Sequence, residues 1–295
     1  MNIRILAFAM LAAVVSIAAN AQTEIFLKDA GSHEPVEYAT VHAEGKVWYS
    51  DPGGHVTFTD TTSSVRISHI CYLDTVVRIT PLKENIIELM PKEFSLPEVI
   101  VGRRTKHKHL LVGTMQKKQH LYFGGRSGEI IAVYLPCKEE YQGKAINSIV
   151  ADLYESKLLR GAGYDEVEKA VLRFDLRLPD AEHRMPSDIS LIGGGILYEG
   201  KGNGRETISL DYPIAFPKEG IFVLAEWIVA GECKPNVIYN PHIRMSKSAP
   251  SSNSWIKREY NDEDWVNWDN DAGMRQMQAA AHSNAFEANL GLLIE

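Results

Sequence analysis

The chain has 295 residues, with 31 lysines and arginines against 38 aspartates and glutamates, which gives a formal net charge of −7. A chain of this sign has no general attraction to nucleic acid or to anionic lipid, so both are excluded as generic partners. The hydrophobic fraction of 45% is ordinary for a globular protein and excludes a chain that is disordered throughout. The length is sufficient for two domains that each bury a core.

The N-terminus has the pattern of a secretory signal peptide over residues 1–21. Arg4 precedes an apolar run over residues 5–18, and the small residues Ala19 and Ala21 precede the predicted cleavage point. The run is too short to span a bilayer, and no later apolar stretch is long enough to do so. We therefore expect a mature chain that starts at Gln22, has no transmembrane segment, and is periplasmic or extracellular.

Residues 22–101 predict a small β-sandwich. Seven short runs rich in β-branched residues are separated by turn residues: TEIFLK, EYATVHA, KVWYS, HVTFT, SVRISHI, DTVVRI and NIIELM. The turn DPGG, Asp51 to Gly54, has the residues that a tight hairpin needs. Seven strands in about seventy residues suggest two packed sheets and leave no room for a long helix.

Residues 102–126 are predicted to be a basic linker. The surrounding stretch 99–128 contains seven lysines and arginines and no acidic residue, although the whole chain is negative. The cluster Arg103, Arg104, Lys106 and Lys108 is a candidate contact for lipid phosphate, sulfated glycan or an acidic partner. A solvated linker without a partner has the same composition.

Residues 127–295 predict a second, larger sandwich of about nine strands, jelly-roll-like in size. Long amphipathic helices do not alternate with these strands, so a doubly wound α/β fold is not expected. The fold class predicted for the whole chain is all-β, with two β-sandwich domains.

The first domain resembles the carboxypeptidase-regulatory-like domain, a transthyretin-like β-sandwich common in exported proteins of Bacteroidota. The resemblance is carried by four stretches in order: EPVEYATVHAEG, YSDPGGHVTF, VRISHICYLD and IIELMPKEFSLPEVIV. Cys71 stands where the family usually has glycine. The resemblance implies a non-catalytic companion domain, and it also implies that the protein could dock to an outer-membrane receptor.

No catalytic or cofactor signature accompanies that resemblance. None of the ten histidines has a glutamate three residues away, and neither H-E-x-x-H nor G-x-S-x-G is present. We therefore expect no enzyme activity, metal or cofactor, and instead a binding or scaffolding protein of the cell envelope with a protein or glycan as partner.

The best candidate site in the sequence is an aromatic and acidic stretch near the C-terminus. Its candidate ligand-binding residues are Trp255, Tyr260, Trp265, Trp268 and Asp269. Aromatic rings beside carboxylates suit sugars, although tryptophans that close a sandwich core give the same pattern. Asn267, Asp269 and Asp271 alternate as calcium ligands do, but Ala272 stands where an EF-hand loop needs glycine.

An alternative function is a glycan-active hydrolase. Glu226 lies in the apolar stretch FVLAEWIV, and acidic residues over 262–271 could supply a second carboxylate. An outward-facing Glu226, or one paired with an arginine, is the simpler interpretation. Among the three cysteines, Cys137 and Cys233 could form a disulfide in an oxidising compartment, and three reduced thiols are the other possibility.

The stretch GGGILYEGKGNG, residues 193–204, resembles a phosphate-binding loop. Lys201 is followed by Gly202 rather than Ser or Thr, and a strand rather than a helix comes next, so no nucleotide is expected. The stretch instead predicts a hairpin from ILYE to ETISL. Gly202, Asn203 and Gly204 would supply the positive φ angles of its turn.

Overall fold

The computed structural model describes residues 22–58, 63–80, 83–93, 109–115, 121–156, 169–182, 185–200, 202–248, 251–261 and 263–295. The predicted signal peptide and the cluster Arg103, Arg104, Lys106 and Lys108 lie outside these residues. Within them the chain is nearly all β, as predicted, with 22 strands and one α-helix. No helix among the described residues is long and apolar enough to cross a membrane.

The chain divides into two compact units, and the described residues of the first lie within Met1–Lys92 and Ala230–Glu232. Its seven predicted strands are all present: β1 Thr23–Asp29, β2 Thr40–Ala43, β3 Lys46–Tyr49, β4 His55–Phe58, β5 Ser64–His69, β6 Tyr72–Arg78 and β7 Glu84–Leu89. The short β17, Gly231–Glu232, pairs with β3. One sheet has the order β4-β1-β7 and the other β17-β3-β2-β5-β6. A core that includes Ile25, Val41, Trp48, Ile67 and Leu89 lies between them.

The turn from Asp51 to Gly54 forms as predicted but does not make a hairpin. The Asp51 side chain accepts a hydrogen bond from the His55 N–H at 2.9 Å, and Gly54 has a φ of 78°. The strands on either side, β3 and β4, belong to different sheets. The hairpin partner of β3 is β2, joined to it by Glu44 and Gly45 with φ of 48° and 78°, the left-handed pair that a two-residue hairpin requires.

The second unit lies within Glu93–Val229 and Cys233–Glu295. Its elements are β8 Leu110–Val112, β9 Leu121–Phe123, β10 Glu129–Leu135, β11 Ala145–Tyr154, β12 Val171–Pro179, β13 Pro186–Ser190, β14 Ile196–Tyr198, β15 Gly204–Ala215, β16 Ile221–Ile228, β18 His242–Ser248, β19 Ser254–Arg258, β20 Val266–Asn267, helix α1 Ala272–Ala280, β21 Ala285–Ala288 and β22 Leu290–Ile294.

These strands form two seven-stranded sheets with a large apolar core between them. Sheet I has the order β13-β12-β16-β10-β19-β20, with β14 beside β12. Sheet II has the order β21-β18-β11-β22-β8, with β15 beside β11 and β9 beside β18. The second unit is therefore a β-sandwich larger than the first, as the sequence predicts.

Part of the predicted linker belongs to this second sandwich. Strands β8 and β9 fall within residues 102–126 and pair with β22 and β18. Val112 and Phe123 are buried in the core. The apolar triplets LLV and LYF form strands that each bury their last side chain in spite of the basic residues around them, so the composition of the stretch was a poor guide to its structure.

The predicted hairpin from ILYE to ETISL is wrong. Strand β14 pairs with β12 in sheet I, whereas β15 pairs with β11 in sheet II, so the chain crosses between the two sheets here. Gly202 and Gly204 have φ of 62° and 111°, as predicted, but Asn203 does not have a positive φ. Lys201 lies outside the described residues.

Candidate functional site

The five predicted ligand-binding residues do not form one surface. Trp268 has no exposed area and packs in the core, with its ring centroid 5.6 Å from that of Phe123, so its proposed ligand contact is wrong. Trp265 is also buried and covers the outer face of sheet I, where Trp255 packs beside it. The Tyr260 hydroxyl donates to Glu129 at 2.8 Å.

The acidic residues of the same stretch hold the backbone. Asp269 accepts hydrogen bonds from the Ser252 N–H at 2.8 Å and from the Gln278 amide at 3.1 Å. Asp271 caps helix α1 by accepting from the Met274 N–H at 2.9 Å. Asp271 therefore begins the helix, whereas Asp269 holds the backbone at Ser252. No group of three or more potential metal-ligating side chains occurs among the described residues.

The candidate disulfide between Cys137 and Cys233 does not form, since all three cysteines are reduced thiols in the structure. The Cys233 sulfur lies 3.4 Å from the Ser127 hydroxyl, just before β10 begins. Cys137 follows the other end of the same seven-residue strand. A strand of that length spans roughly 23 Å, whereas bridged cysteines need Cα atoms within about 7 Å.

Glu226 is paired with an arginine, the simpler of the two interpretations of its sequence context. Its Oε2 accepts from Arg173 Nη2 at 2.7 Å and Nε at 2.8 Å, and both side chains are more than nine-tenths buried. The two residues lie directly opposite each other on β16 and β12. A carboxylate held in this way is a poor candidate for a catalytic acid.

A second buried carboxylate, Glu129, was not identified from the sequence. It has no exposed area, and it accepts hydrogen bonds from Arg126, Arg258 and Tyr260 at 3.0, 3.3 and 2.8 Å. Burial, followed by the charge of Glu129, raises the pKa of the Tyr260 hydroxyl. Burial alone would lower the pKa of Arg258, but its hydrogen bond and charge interaction with Asp271 raise it. We call this set the Glu129 network.

The outer face of sheet II carries an aromatic and charged array, the Arg244 face, formed by Tyr122, Asp152, Tyr154 and Arg244. The two tyrosine rings stack with centroids 4.0 Å apart, and the Arg244 guanidinium lies 5.1 and 5.3 Å from them. Arg244 Nε is 3.1 Å from Asp152 Oδ1. Because Ile243 and Met245 face the core, Arg244 and Ser246 share the opposite face of β18.

Hydrogen bonds extend this face towards the edge of the sheet. The Asn289 amide donates to Asp152 at 3.5 Å and accepts from the Ser246 hydroxyl at 2.6 Å. Ser246 lies opposite Glu287 in the register of β18 and β21. The array therefore leads to a cleft that contains Glu287.

This cleft, the Glu287 cleft, has a volume of about 610 Å³, within the range of ligand sites. Glu287 is 5% exposed, and its carboxylate accepts from the Thr114 hydroxyl at 2.5 Å and from the Asn253 amide at 2.8 Å. Its other polar wall residues include Tyr134, Lys138, Lys247 and Ser251.

The groups around Glu287 are of mixed polarity, and several are exposed. Asn253, Ser251, Lys138 and Lys247 are all exposed residues. Lys138 Nζ lies 5.5 Å from the centroid of the Tyr141 ring, which forms part of the apolar wall. The cleft thus combines hydroxyl, amide and carboxylate groups with two lysines and aromatic rings.

A smaller cleft of about 240 Å³ is lined by Glu155, Lys169, Asn240 and Pro241 among others. Lys169 Nζ and Glu155 Oε1 are 3.2 Å apart, so two of its charged groups pair with each other. Its wall is less polar than that of the Glu287 cleft, which makes the larger cleft the better candidate site.

Sequence reasoning missed the cleft because its polar residues are far apart in the chain. Thr114, Asn253 and Glu287 are brought together by the positions of β8, β19 and β21. The one local signal is Glu287 within the apolar stretch AFEANLGLLI. A carboxylate at that position in a buried strand requires partners, but the sequence does not identify them.

No family model matches the sequence. No curated protein matches it. Among solved structures, a Bacteroides uniformis crystal structure described as a putative carbohydrate binding protein is similar over 70% of this chain and 79% of that chain, with 12% identity and a TM-score of 0.20. A likeness of that size carries no argument about function, so the function has to be argued from the cleft itself.

Proposed function

We propose that the second unit binds carbohydrate in the Glu287 cleft. The observation that carries the proposal is a polar cleft of about 610 Å³ whose central carboxylate is held in place by Thr114 and Asn253. Sugar hydroxyls both donate and accept hydrogen bonds, so they suit a wall that mixes a carboxylate, an amide and hydroxyl groups. Fixed side chains lose little entropy when a ligand binds.

Two lysines favour an acidic sugar. Lys138 and Lys247 both line the cleft and are exposed, and Glu287 is the single carboxylate among its described lining residues. An exposed ammonium group gains more from a sugar carboxylate than from a neutral hydroxyl. The favoured ligand class is therefore a glycan that contains uronic acid.

We propose that the cleft binds the sugar and does not hydrolyse it. Glycoside hydrolysis commonly uses two carboxylates about 5 to 10 Å apart. The candidates for such a pair were Glu226 and the acidic residues over 262–271. Glu226 is bonded to Arg173, Asp269 to Ser252 and Gln278, and Asp271 to Arg258. None of these three carboxylates belongs to the described cleft wall.

We propose in addition that the first unit is a carboxypeptidase-regulatory-like domain and that the protein is exported to the cell envelope. The seven strands in two sheets support the resemblance in the first unit. The signal-peptide pattern of residues 1–21 supports export. The binding partner would then be a glycan of the envelope or its surroundings.

Calorimetric titration with two matched probes tests the ligand. The chain from Gln22 is titrated with an oligogalacturonide and with a neutral galactose oligosaccharide, and we expect tighter binding of the acidic probe. Lys138→Ala should weaken binding of the acidic probe by about fivefold, since one charge-assisted contact is lost. Lys234→Ala, which removes an exposed lysine that is not in the cleft wall, is the matched control.

Asn253→Ala tests the cleft itself, because the Asn253 amide donates to Glu287 and lines the cleft. We expect affinity for the oligosaccharide to fall on the order of tenfold. The melting temperature of each variant is measured alongside. Equal binding by the wild type and by Asn253→Ala, with both proteins folded, would place the sugar elsewhere and refute the proposal.

A further inference from the structure

Strand β6 forms an edge of the first unit. It ends the sheet order β17-β3-β2-β5-β6. Its start is joined to the end of β7, where Tyr72 bridges Pro91 and the Leu73 N–H donates to the Met90 carbonyl at 2.8 Å. From Asp74 onward, β5 is the one strand that pairs with it among the described residues. Such an edge presents backbone N–H and C=O groups that can pair with another strand.

This edge is apolar and accessible. Val76 is 71% exposed and Leu73 is 52% exposed. Proteins commonly protect an edge with lysine, proline or a bulge that turns the strand away. The segment from Asp74 to Arg78 contains neither lysine nor proline, and the register shift in its pairing with β5 lies at its start, between Tyr72 and Thr75. Its exposed outer face instead reads Asp74, Val76, Arg78, with an acidic residue and a basic residue at equal distances from a valine.

We propose that β6 pairs antiparallel with β6 of a second copy of this chain, centred on Val76. In this register Asp74 of each copy lies opposite Arg78 of the other, and the two Val76 side chains face each other. All three residues lie on the same face, because Val77 between them packs towards the core. Two opposite-charge pairs and one apolar pair therefore form together across the joined edges.

Other registers lose this complementarity. An antiparallel pair centred on Thr75 puts Asp74 opposite Val76 and leaves both charges without a partner. A parallel pair in register puts like charges opposite each other, which is unfavourable. A register shifted by one residue would place the outer face of one copy beside the core-facing side of the other, which the two-residue period of a strand disfavours.

The charges of this face are available for such pairing. Among the described residues, Asp74 has one ion-pair contact, to Lys92 Nζ at 3.8 Å, and the Asp74 side chain is 58% exposed. A solvent-exposed pair at that distance contributes little. The surface belongs to the first unit and does not depend on the Glu287 cleft.

Sedimentation velocity over a wide range of concentration tests the proposal on the chain from Gln22. We expect a concentration-dependent equilibrium between monomer and dimer. Asp74→Arg alone and Arg78→Asp alone each place like charges opposite each other twice, so each should weaken self-association on the order of tenfold. Glu88→Arg reverses an exposed acidic residue on β7 and is the matched control, expected to dimerise as the wild type does.

Mixing gives the decisive result. In a mixture of the two single variants, the introduced arginine faces the introduced aspartate and the native charges face each other, so a heterodimer should form. The double variant Asp74→Arg/Arg78→Asp should likewise associate with itself. This variant keeps both charges in the strand, so it tests the register even if a single variant is unstable.

Three results would overturn the proposal. The first is a wild-type chain that stays monomeric at every concentration. The second is a folded single variant that dimerises as well as the wild type, which would indicate another interface. The third is a mixture of folded single variants that does not associate, since charge complementarity across β6 requires the heterodimer.

Discussion

Glu129 and Glu287 are both buried glutamates of the second unit, but they are surrounded by different groups. Glu129 receives hydrogen bonds from two arginines and a tyrosine and has no exposed area. Glu287 is bonded by the hydroxyl of Thr114 and the amide of Asn253 and forms part of a cleft wall. Burial alone therefore does not tell a carboxylate of a ligand site from a structural carboxylate. The charge and the accessibility of its neighbours make that distinction.

Their positions in the fold explain the difference. Glu129 begins β10 in the middle of sheet I, directly opposite Arg258 on β19. Arg258 in turn bonds Asp271 at the start of helix α1 at 2.8 Å, so the network ties two strands to the helix. Glu287 lies on β21, a strand at the edge of sheet II. An edge strand leaves one side of its residues open to a cleft.

The largest effect is expected from removing the enclosed carboxylate. Glu129→Ala removes the buried carboxylate that Arg126 and Arg258 share, while Arg258 keeps its ion pair with Asp271. Breaking such a network costs about 3 kcal/mol. The free energy of unfolding in urea measures it. Glu263→Ala is the matched control, because Glu263 bonds the same Arg258 but its side chain is 41% exposed. We expect the control to cost less than about 1 kcal/mol, and equal losses would contradict the enclosed network.

His242 shows what happens to a buried titratable group that lacks a charged partner. It is 8% exposed, and its Nε2 has no hydrogen-bond partner among the described residues. Burial lowers its pKa from 6.5 to about 4. The unfolded chain therefore takes up a proton before the folded chain does, and stability decreases as the pH falls from 6.5 towards 4.

That decrease amounts to about 3 kcal/mol for this one group. The free energy of unfolding of the wild type and of His242→Gln, each measured at pH 7 and at pH 4.5, isolates it from the carboxylates that also titrate. We expect the variant to lose less stability between the two pH values. The same loss in both proteins would show that His242 is protonated in the folded state.

The difference between local and distant interactions explains how far the sequence could predict this structure. The seven strands of the first unit follow from short β-branched runs and turn residues, which act locally. Strand β16 was also recognisable, although it is buried along its whole length and alternation could not say which face holds Glu226. Arg173, the ion-pair partner of Glu226, lies on β12 and is far away in the chain.

Helix α1 shows a local signal that pointed to two outcomes. Asp271 followed by AGMRQMQAA is a capping residue before helix-forming residues, yet the preceding alternation of Asn267, Asp269 and Asp271 also suits an ion-binding loop. In the structure these side-chain oxygens accept hydrogen bonds from backbone N–H groups.

The hairpins predicted at Asp51 and Gly202 were wrong for a related reason. A turn reverses the chain, but the strands that it joins pair according to the core they cover.

Tyr260→Phe measures how much the hydrogen bond from the uncharged Tyr260 hydroxyl contributes to the Glu129 network. The phenol donates to Glu129 at 2.8 Å, and its removal leaves the two arginines in place. We expect a loss of about 1–2 kcal/mol, as for other hydrogen bonds to a charged group. A loss as large as that from Glu129→Ala would mean that the tyrosine rather than the arginines balances the carboxylate. Urea unfolding at pH 7 provides the comparison.

The smallest change in stability is expected from Glu287→Gln, which tests the comparison with one substitution at both glutamates. Gln keeps the size of the side chain and one oxygen that can accept from Thr114 or Asn253, so the free energy of unfolding should change by less than about 1 kcal/mol. Glu129→Gln places a neutral amide beside Arg126 and Arg258 and should cost at least twice as much. Binding of the oligosaccharide should show the opposite order, with affinity lowered in Glu287→Gln and unchanged in folded Glu129→Gln. If both substitutions destabilise the chain equally and neither alters binding, Glu287 is a structural carboxylate like Glu129, and the cleft is not the oligosaccharide-binding site.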